Sequence, residues 1–149
     1  MRLDAERNLL PSLATEWEQV SPTEFRFRLR EGVTFHNGNP FTAADVVYTM
    51  ERILDPNRPS DAGTKMAMVS AVVAEDDHTV LFTLSQPFVP FLTYLASPEV
   101  IPILDAESAP ETNFDVTAMG TGPFRVEEFL PGDVMRLRRH ETYWNPDAP

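Results

Sequence analysis

From Glu24 to Arg30 the chain alternates without a break. Phe25, Phe27 and Leu29 fall in one phase; Glu24, Arg26, Arg28 and Arg30 fall in the other. Successive side chains of a strand point to opposite faces, so a period of two marks a strand with one face buried and one in water. Such a strand needs neighbours for its backbone hydrogen bonds and a layer over its apolar face. Leu9 to Val20 reads as the preceding extended segment, with Trp17 as its large apolar anchor and Ser21-Pro22-Thr23 as the turn. Together they predict a hairpin.

The pattern recurs. His78 to Leu84 alternates, with Val80, Phe82 and Leu84 on one side. Ser70 to Ala74 precedes it as a strand across the polar turn Glu75-Asp76-Asp77, predicting a second hairpin. Phe124 to Leu130 and Val134 to Arg139, joined by Pro131-Gly132-Asp133, predict a third. Its apolar phase changes between Val126 and Phe129, which places a bulge near Glu127-Glu128.

Helices fall between the hairpins. His36-Asn37-Gly38-Asn39-Pro40 is a turn, since Asn-Gly readily supplies positive φ. Thr42 then reads as an N-cap with Asp45 three residues on, a near capping box. Val46, Val47, Met50, Ile53 and Leu54 make one apolar stripe, and Asp55-Pro56-Asn57 ends the helix. Arg58 to Thr64 reads as a loop and Lys65 to Val69 as a short helical turn. Phe88 to Leu95 reads as a short helix with Pro87 and Pro90 in its first turn. Val100 to Leu104 is a short apolar segment, and Asp105 to Asp115 is polar, a loop or a ragged helix. Hairpins and a few short helices in this order predict an α+β fold rather than a regular βαβ array.

Composition narrows function. A formal charge of −11 disfavours a phosphate backbone as partner, so no nucleic acid is expected. The absence of cysteine removes thiol catalysis and Cys-ligated metals. The 14 prolines predict a loop-rich chain. No apolar run approaches the length of a membrane span. Met1 to Asn8 is charged and lacks an apolar stretch, so any export signal is expected outside these residues; Asn145 to Pro149 reads as a cut end.

No catalytic pattern stands out. His36, His78 and His140 lie far apart, without metal-ligand spacing, and read as surface or turn residues. The neighbours Asp76-Asp77 and Glu127-Glu128 would point to opposite faces of a strand and form no acid/base dyad by themselves. No serine sits in a nucleophile elbow. Gly120-Thr121-Gly122 falls short of a phosphate cradle and reads as two glycines easing the lead-in to a strand. Arg125, Arg136, Arg138 and Arg139 form a basic stripe: a solvated strand face, or a contact for an anion or a protein. Phe88 to Tyr94 reads as core packing.

Three blocks carry a resemblance. The first runs from Leu13-Ala14-Thr15-Glu16-Trp17-Glu18 through Phe25-Arg26-Phe27-Arg28-Leu29-Arg30-Glu31-Gly32-Val33 to Phe35-His36-Asn37-Gly38-Asn39-Pro40-Phe41-Thr42-Ala43-Ala44-Asp45-Val46-Val47-Tyr48. The second is Asp76-Asp77-His78-Thr79-Val80 with Phe82-Thr83-Leu84 and Pro87-Phe88; the third is Gly120-Thr121-Gly122-Pro123-Phe124, Pro131-Gly132-Asp133, Leu137 and Tyr143-Trp144. Their order resembles extracellular solute-binding protein family 5, the dipeptide-, oligopeptide- and nickel-binding receptors of ABC importers. Asn37 stands where that family often has Asp.

The resemblance implies a subdomain of a periplasmic-binding-protein-like lobe of the class II, peptide-binding type. Residues 1–149 would be a single partial domain of the first lobe, and the hairpin at 120–144 would re-enter the main lobe sheet. It implies capture of a peptide or similar small solute in the whole receptor, hand-over to ABC permease subunits, a periplasmic or extracellular location, and no enzyme activity; the residues themselves point to no cofactor and no metal site. The loop from Arg58 to Thr64 corresponds to a family loop that can face the ligand cleft, which makes Ser60, Asp61 and Gly63 the candidate ligand-binding residues. Trp17, Phe35 and Val46 read as core. Two alternatives stay open: the solute-sensing domain of a transcription regulator, and an interaction module that binds no ligand.

Overall fold

The computed structural model describes residues 1–96, 101–111 and 119–147. The elements are β1 (Arg2–Leu3), β2 (Leu9–Leu10), β3 (Ala14–Ser21), β4 (Glu24–Leu29), α1 (Ala43–Leu54), α2 (Asp61–Lys65), β5 (Val69–Asp76), β6 (Thr79–Leu84), α3 (Phe91–Leu95), a 3-10 turn (Ala109–Glu111), β7 (Phe124–Leu130) and β8 (Val134–Arg139). The α+β expectation holds, and the chain divides into two compact units.

The first unit comprises residues 1–31 and 42–103. Its centre is a four-stranded antiparallel sheet in the order β3-β4-β6-β5. The two predicted hairpins are thus joined side by side through β4 and β6. Cross-strand pairs Phe25↔Phe82 and Phe27↔Val80 bring the two apolar phases onto one face. Phe91 of α3 seats on that face, with ring centroids 4.9 Å from Phe25, 6.5 Å from Phe27 and 5.7 Å from Phe82. All four rings are buried, and each contributes on the order of 1.5–3 kcal/mol by leaving water. On the opposite phase, Arg26 bridges Glu18 and Glu75, both at 2.6 Å.

Helix α1 packs against β5 and β6 and buries Ala43, Val46, Thr49 and Met50. Its start follows the sequence: the Asp45 carboxylate accepts from the Thr42 backbone N–H at 2.7 Å and from the Thr42 hydroxyl at 3.2 Å. Val47, Ile53 and Leu54 are only half-buried, so the buried stripe is narrower than its apolar residues suggest. Trp17 lies opposite Phe27 but is also half-buried, because β3 is an edge strand with a neighbour on one side only among the described residues.

Two helix boundaries differ from expectation. The segment read as a loop with a helical turn after it holds α2, which starts at Asp61 because the Ser60 hydroxyl accepts from Gly63 N–H at 3.0 Å and caps it. Helix α3 starts at Phe91 rather than Phe88, since Pro90 fixes its own φ and stands as the N-cap. Of the apolar segment Val100 to Leu104, Val100 lies outside the described residues and 101–104 is irregular. Asp105 to Glu111 forms a turn and the 3-10 turn; 112–115 of that polar stretch, and the last two residues of Asn145 to Pro149, lie outside the described residues.

The second unit comprises residues 32–41 and 104–149. Residues 33–41 fold back on themselves: Phe41 N–H bonds Val33 C=O at 2.9 Å, Phe35 N–H bonds Asn39 C=O at 2.8 Å, and Gly38 takes the positive φ of +96°. Phe35 and Phe41 are buried and meet edge to face at 6.2 Å. The third hairpin, β7–β8, turns at Gly132 and carries a register shift between Val126 and Glu128, where the phase change placed it. Among the described residues it forms a sheet of two strands only.

Candidate functional site

The three candidate ligand residues sit at the start of α2. Ser60 is the N-cap, Asp61 opens the first turn, where a negative charge suits the helix dipole, and Gly63 faces α1. A Cβ on Gly63 would lie 2.5 Å from the Ile53 carbonyl oxygen, so no side chain fits there without moving backbone. All three residues have local structural roles, and Ser60 and Asp61 are exposed.

The second unit assembles groups that sequence spacing kept apart. His36 and His140 come together edge to face, with ring centroids 5.1 Å apart. Both rings address one acceptor: the Gly122 carbonyl lies 3.0 Å from His36 Nε2 and 3.2 Å from His140 Nδ1. A carbonyl only accepts, so each of those nitrogens carries its proton. In its neutral form His140 then accepts at Nε2 from the Thr142 hydroxyl at 3.0 Å, and Thr142 Oγ1 lies 3.3 Å from Thr34 Oγ1. His36 Nδ1 is buried without a partner among the described residues. Burial lowers the His36 pKa from its ordinary value; the Gly122 carbonyl opposes this, and His140 and Arg125 add to the lowering.

Gly120 and Gly122 serve through their carbonyls, Gly120 accepting from His36 N–H at 2.9 Å. Neither has positive φ, and a Cβ on Gly122 would meet nothing within 4 Å. Neither conformation nor space therefore demands glycine here, and the carbonyls that accept would be present in any residue. The rings border an open cleft of about 320 Å³, lined also by Arg125, Arg139, Glu141 and Thr142.

A second polar knot centres on Asp105. Its carboxylate accepts from Asn37 Nδ2 at 2.6 Å, Asn39 Nδ2 at 2.9 Å, Ser108 Oγ at 2.6 Å and Glu107 N–H at 3.1 Å. Burial pushes its pKa up, but the bonds from Ser108, Asn37, Asn39 and Glu107 outweigh burial and hold it below the ordinary carboxylate value. Asn37 is fixed here as a donor; an Asp at that position would set two carboxylates against each other. The basic stripe splits in two: Arg136 pairs with Glu128 and Arg138 with Glu127 at 3.3 Å, so those neighbouring glutamates hold separate arginines. Among the described residues no group of three or more His, Asp or Glu is placed to hold a metal ion.

Comparison with known proteins places this fold. The sequence profile of bacterial extracellular solute-binding proteins, family 5 Middle, matches residues 8–149. The chain is 35% identical to a probable ABC transporter periplasmic-binding protein, SapA, of Escherichia coli, over 91% of this chain and 29% of that protein. It is 30% identical to the periplasmic oligopeptide-binding protein OppA of Salmonella typhimurium, over 95% of this chain and 30% of that one. Among solved structures, the binding protein AgaA of A. tumefaciens in complex with agropinic acid superposes with a TM-score of 0.87 at 30% identity, over 97% of this chain and 30% of that one. The chain therefore spans under a third of the length of these relatives. With nearly all of its length under the profile, the chain belongs to family 5 of the bacterial extracellular solute-binding proteins.

Proposed function

We propose that this chain is part of the first lobe of a receptor that captures a peptide or similar small solute outside the membrane and hands it to the permease of an ABC importer. The family match over residues 8–149 carries this reading, and relatives named as periplasmic and oligopeptide-binding proteins support it. Residues 1–149 act as one partial domain of that lobe. The hairpin at 120–144 joins the main sheet of the lobe: Phe124, Phe129, Leu130, Met135 and Leu137 are 38–58% exposed, as suits a hairpin meant to be covered. Ser60, Asp61 and Gly63 lie at the rim of the solute cleft, with α2 presenting Ser60 and Asp61 to solvent.

Capture without chemistry needs an enclosing wall, and reversible binding gains from closure of two lobes. Calorimetry with short peptides tests the reading on two samples: the 149-residue chain and a longer gene product containing it. The longer protein is expected to bind with micromolar or better affinity and release its peptide unchanged, while the chain alone shows no binding heat. Cleavage of the peptide, or equal affinity in both samples, contradicts the proposal.

A further inference from the structure

The chain has 23 acidic and 12 basic residues, so a cleft in which arginines outnumber carboxylates is not what its composition favours. On the β7–β8 hairpin Arg136 and Arg138 are both paired. Arg125 and Arg139 have no ion pair among the described residues, and both line the cleft beside His36 and His140. Only one carboxylate residue, Glu141, lines that cleft with them. The local balance is thus positive in a chain of net charge −11.

We propose that this cleft is a binding site for a small oxyanion, a carboxylate or a phosphate group. Guanidinium groups present planar forks of N–H donors that match such oxygens in pairs. At about 320 Å³ the open cleft accommodates a group of a few atoms. The field of Arg125 reaches the imidazole, since Arg125 is among the groups that make His36 harder to protonate. An anion bound in the cleft beside them opposes that effect. The charged and titratable groups bordering His36 here are His140, Arg125, Arg139 and Glu141. The inference does not depend on the transport reading, because it uses only groups within the second unit.

The test is a pH titration of the histidine ring signals by NMR in the 149-residue chain, with phosphate, acetate or chloride at matched ionic strength. With phosphate or acetate, the His36 and His140 signals shift saturably, His78 does not, and the His36 midpoint rises on the order of one pH unit. Stronger saturation by acetate assigns the site to carboxylates; stronger saturation by phosphate assigns it to phosphates. Arg125→Gln and Arg139→Gln, both at exposed positions, are each expected to weaken binding roughly tenfold, and loss in either supports the site. The proposal is overturned if chloride gives the same shifts, if neither oxyanion saturates, or if both variants titrate as the parent does.

Discussion

The β4–β6 core of the first unit and the β7–β8 hairpin of the second are written in similar code and end differently. In both, apolar residues recur at near-alternate positions along antiparallel strands. On β4 and β6 those residues are at most 5% exposed, because Phe91 and its neighbours cover them. On the hairpin Met135 and Leu137 are more than half exposed. A period of two states which face of a strand is apolar; it does not state that the covering layer lies within the same stretch of chain. The second unit relies more on polar convergence, at the Gly122 carbonyl and at Asp105.

The largest expected effect tests that contrast directly. Phe27→Ala removes a ring that touches both Phe82 and Phe91 and leaves a cavity beneath the sheet. It is expected to cost about 3–5 kcal/mol. Leu137→Ala, on the exposed hairpin, is expected to stay within about 0.5 kcal/mol. Urea denaturation of both variants decides it. Equal losses would mean that the hairpin is covered in the free chain.

A smaller loss is expected at the polar knot. Asp105→Ala leaves the Asn37, Asn39 and Ser108 donors without their acceptor and is expected to cost about 3 kcal/mol. Asn37→Asp should destabilise the chain unless the new carboxyl takes a proton. Its penalty should therefore shrink as the pH is lowered, which urea midpoints at several pH values would show. A penalty that is flat with pH would remove the carboxylate clash as its cause.

These sites also show where sequence reading reaches its limit. The capping pair Thr42 and Asp45, the bulge after Val126 and the Gly38 and Gly132 turns were legible because each is decided within a few residues. The pairing of β4 with β6 follows from two matching apolar phases but needed the fold to set its register. His36 and His140 share no local pattern; their meeting depends on the backbone path that brings the Gly122 carbonyl between them. Asp105 sits in a stretch whose polarity suggests solvent, yet its residue is buried, since it serves donors 66 and 68 positions away. At Ser60 the sequence marked a loop, but a serine three residues before Gly63 was a readable cap signal that places α2.

The smallest predicted effect concerns acid and sharpens the view that polar groups hold the second unit. His36 has a folded pKa below its ordinary 6.5, so between those two values the unfolded chain binds a proton that the folded chain refuses. Stability therefore falls as the pH drops from 6.5 toward the folded value. Asp105 acts in the same direction but lower, because its folded carboxylate stays charged after the unfolded one begins to protonate near 3.8. His36→Asn removes the upper step and leaves the lower one. The quantity to compare is the difference in urea midpoint between parent and variant across pH 7.5 to 4.5, a range of about three units that spans the ordinary histidine value and stays above the carboxylate one. That difference cancels the titrating groups that do not interact with His36. It should change in the upper part of the range, with the parent losing ground to the variant as acid is added. A constant difference would mean that His36 takes up its proton in the fold as easily as in the open chain, so that burial and the nearby positive charges carry no net cost for its protonation.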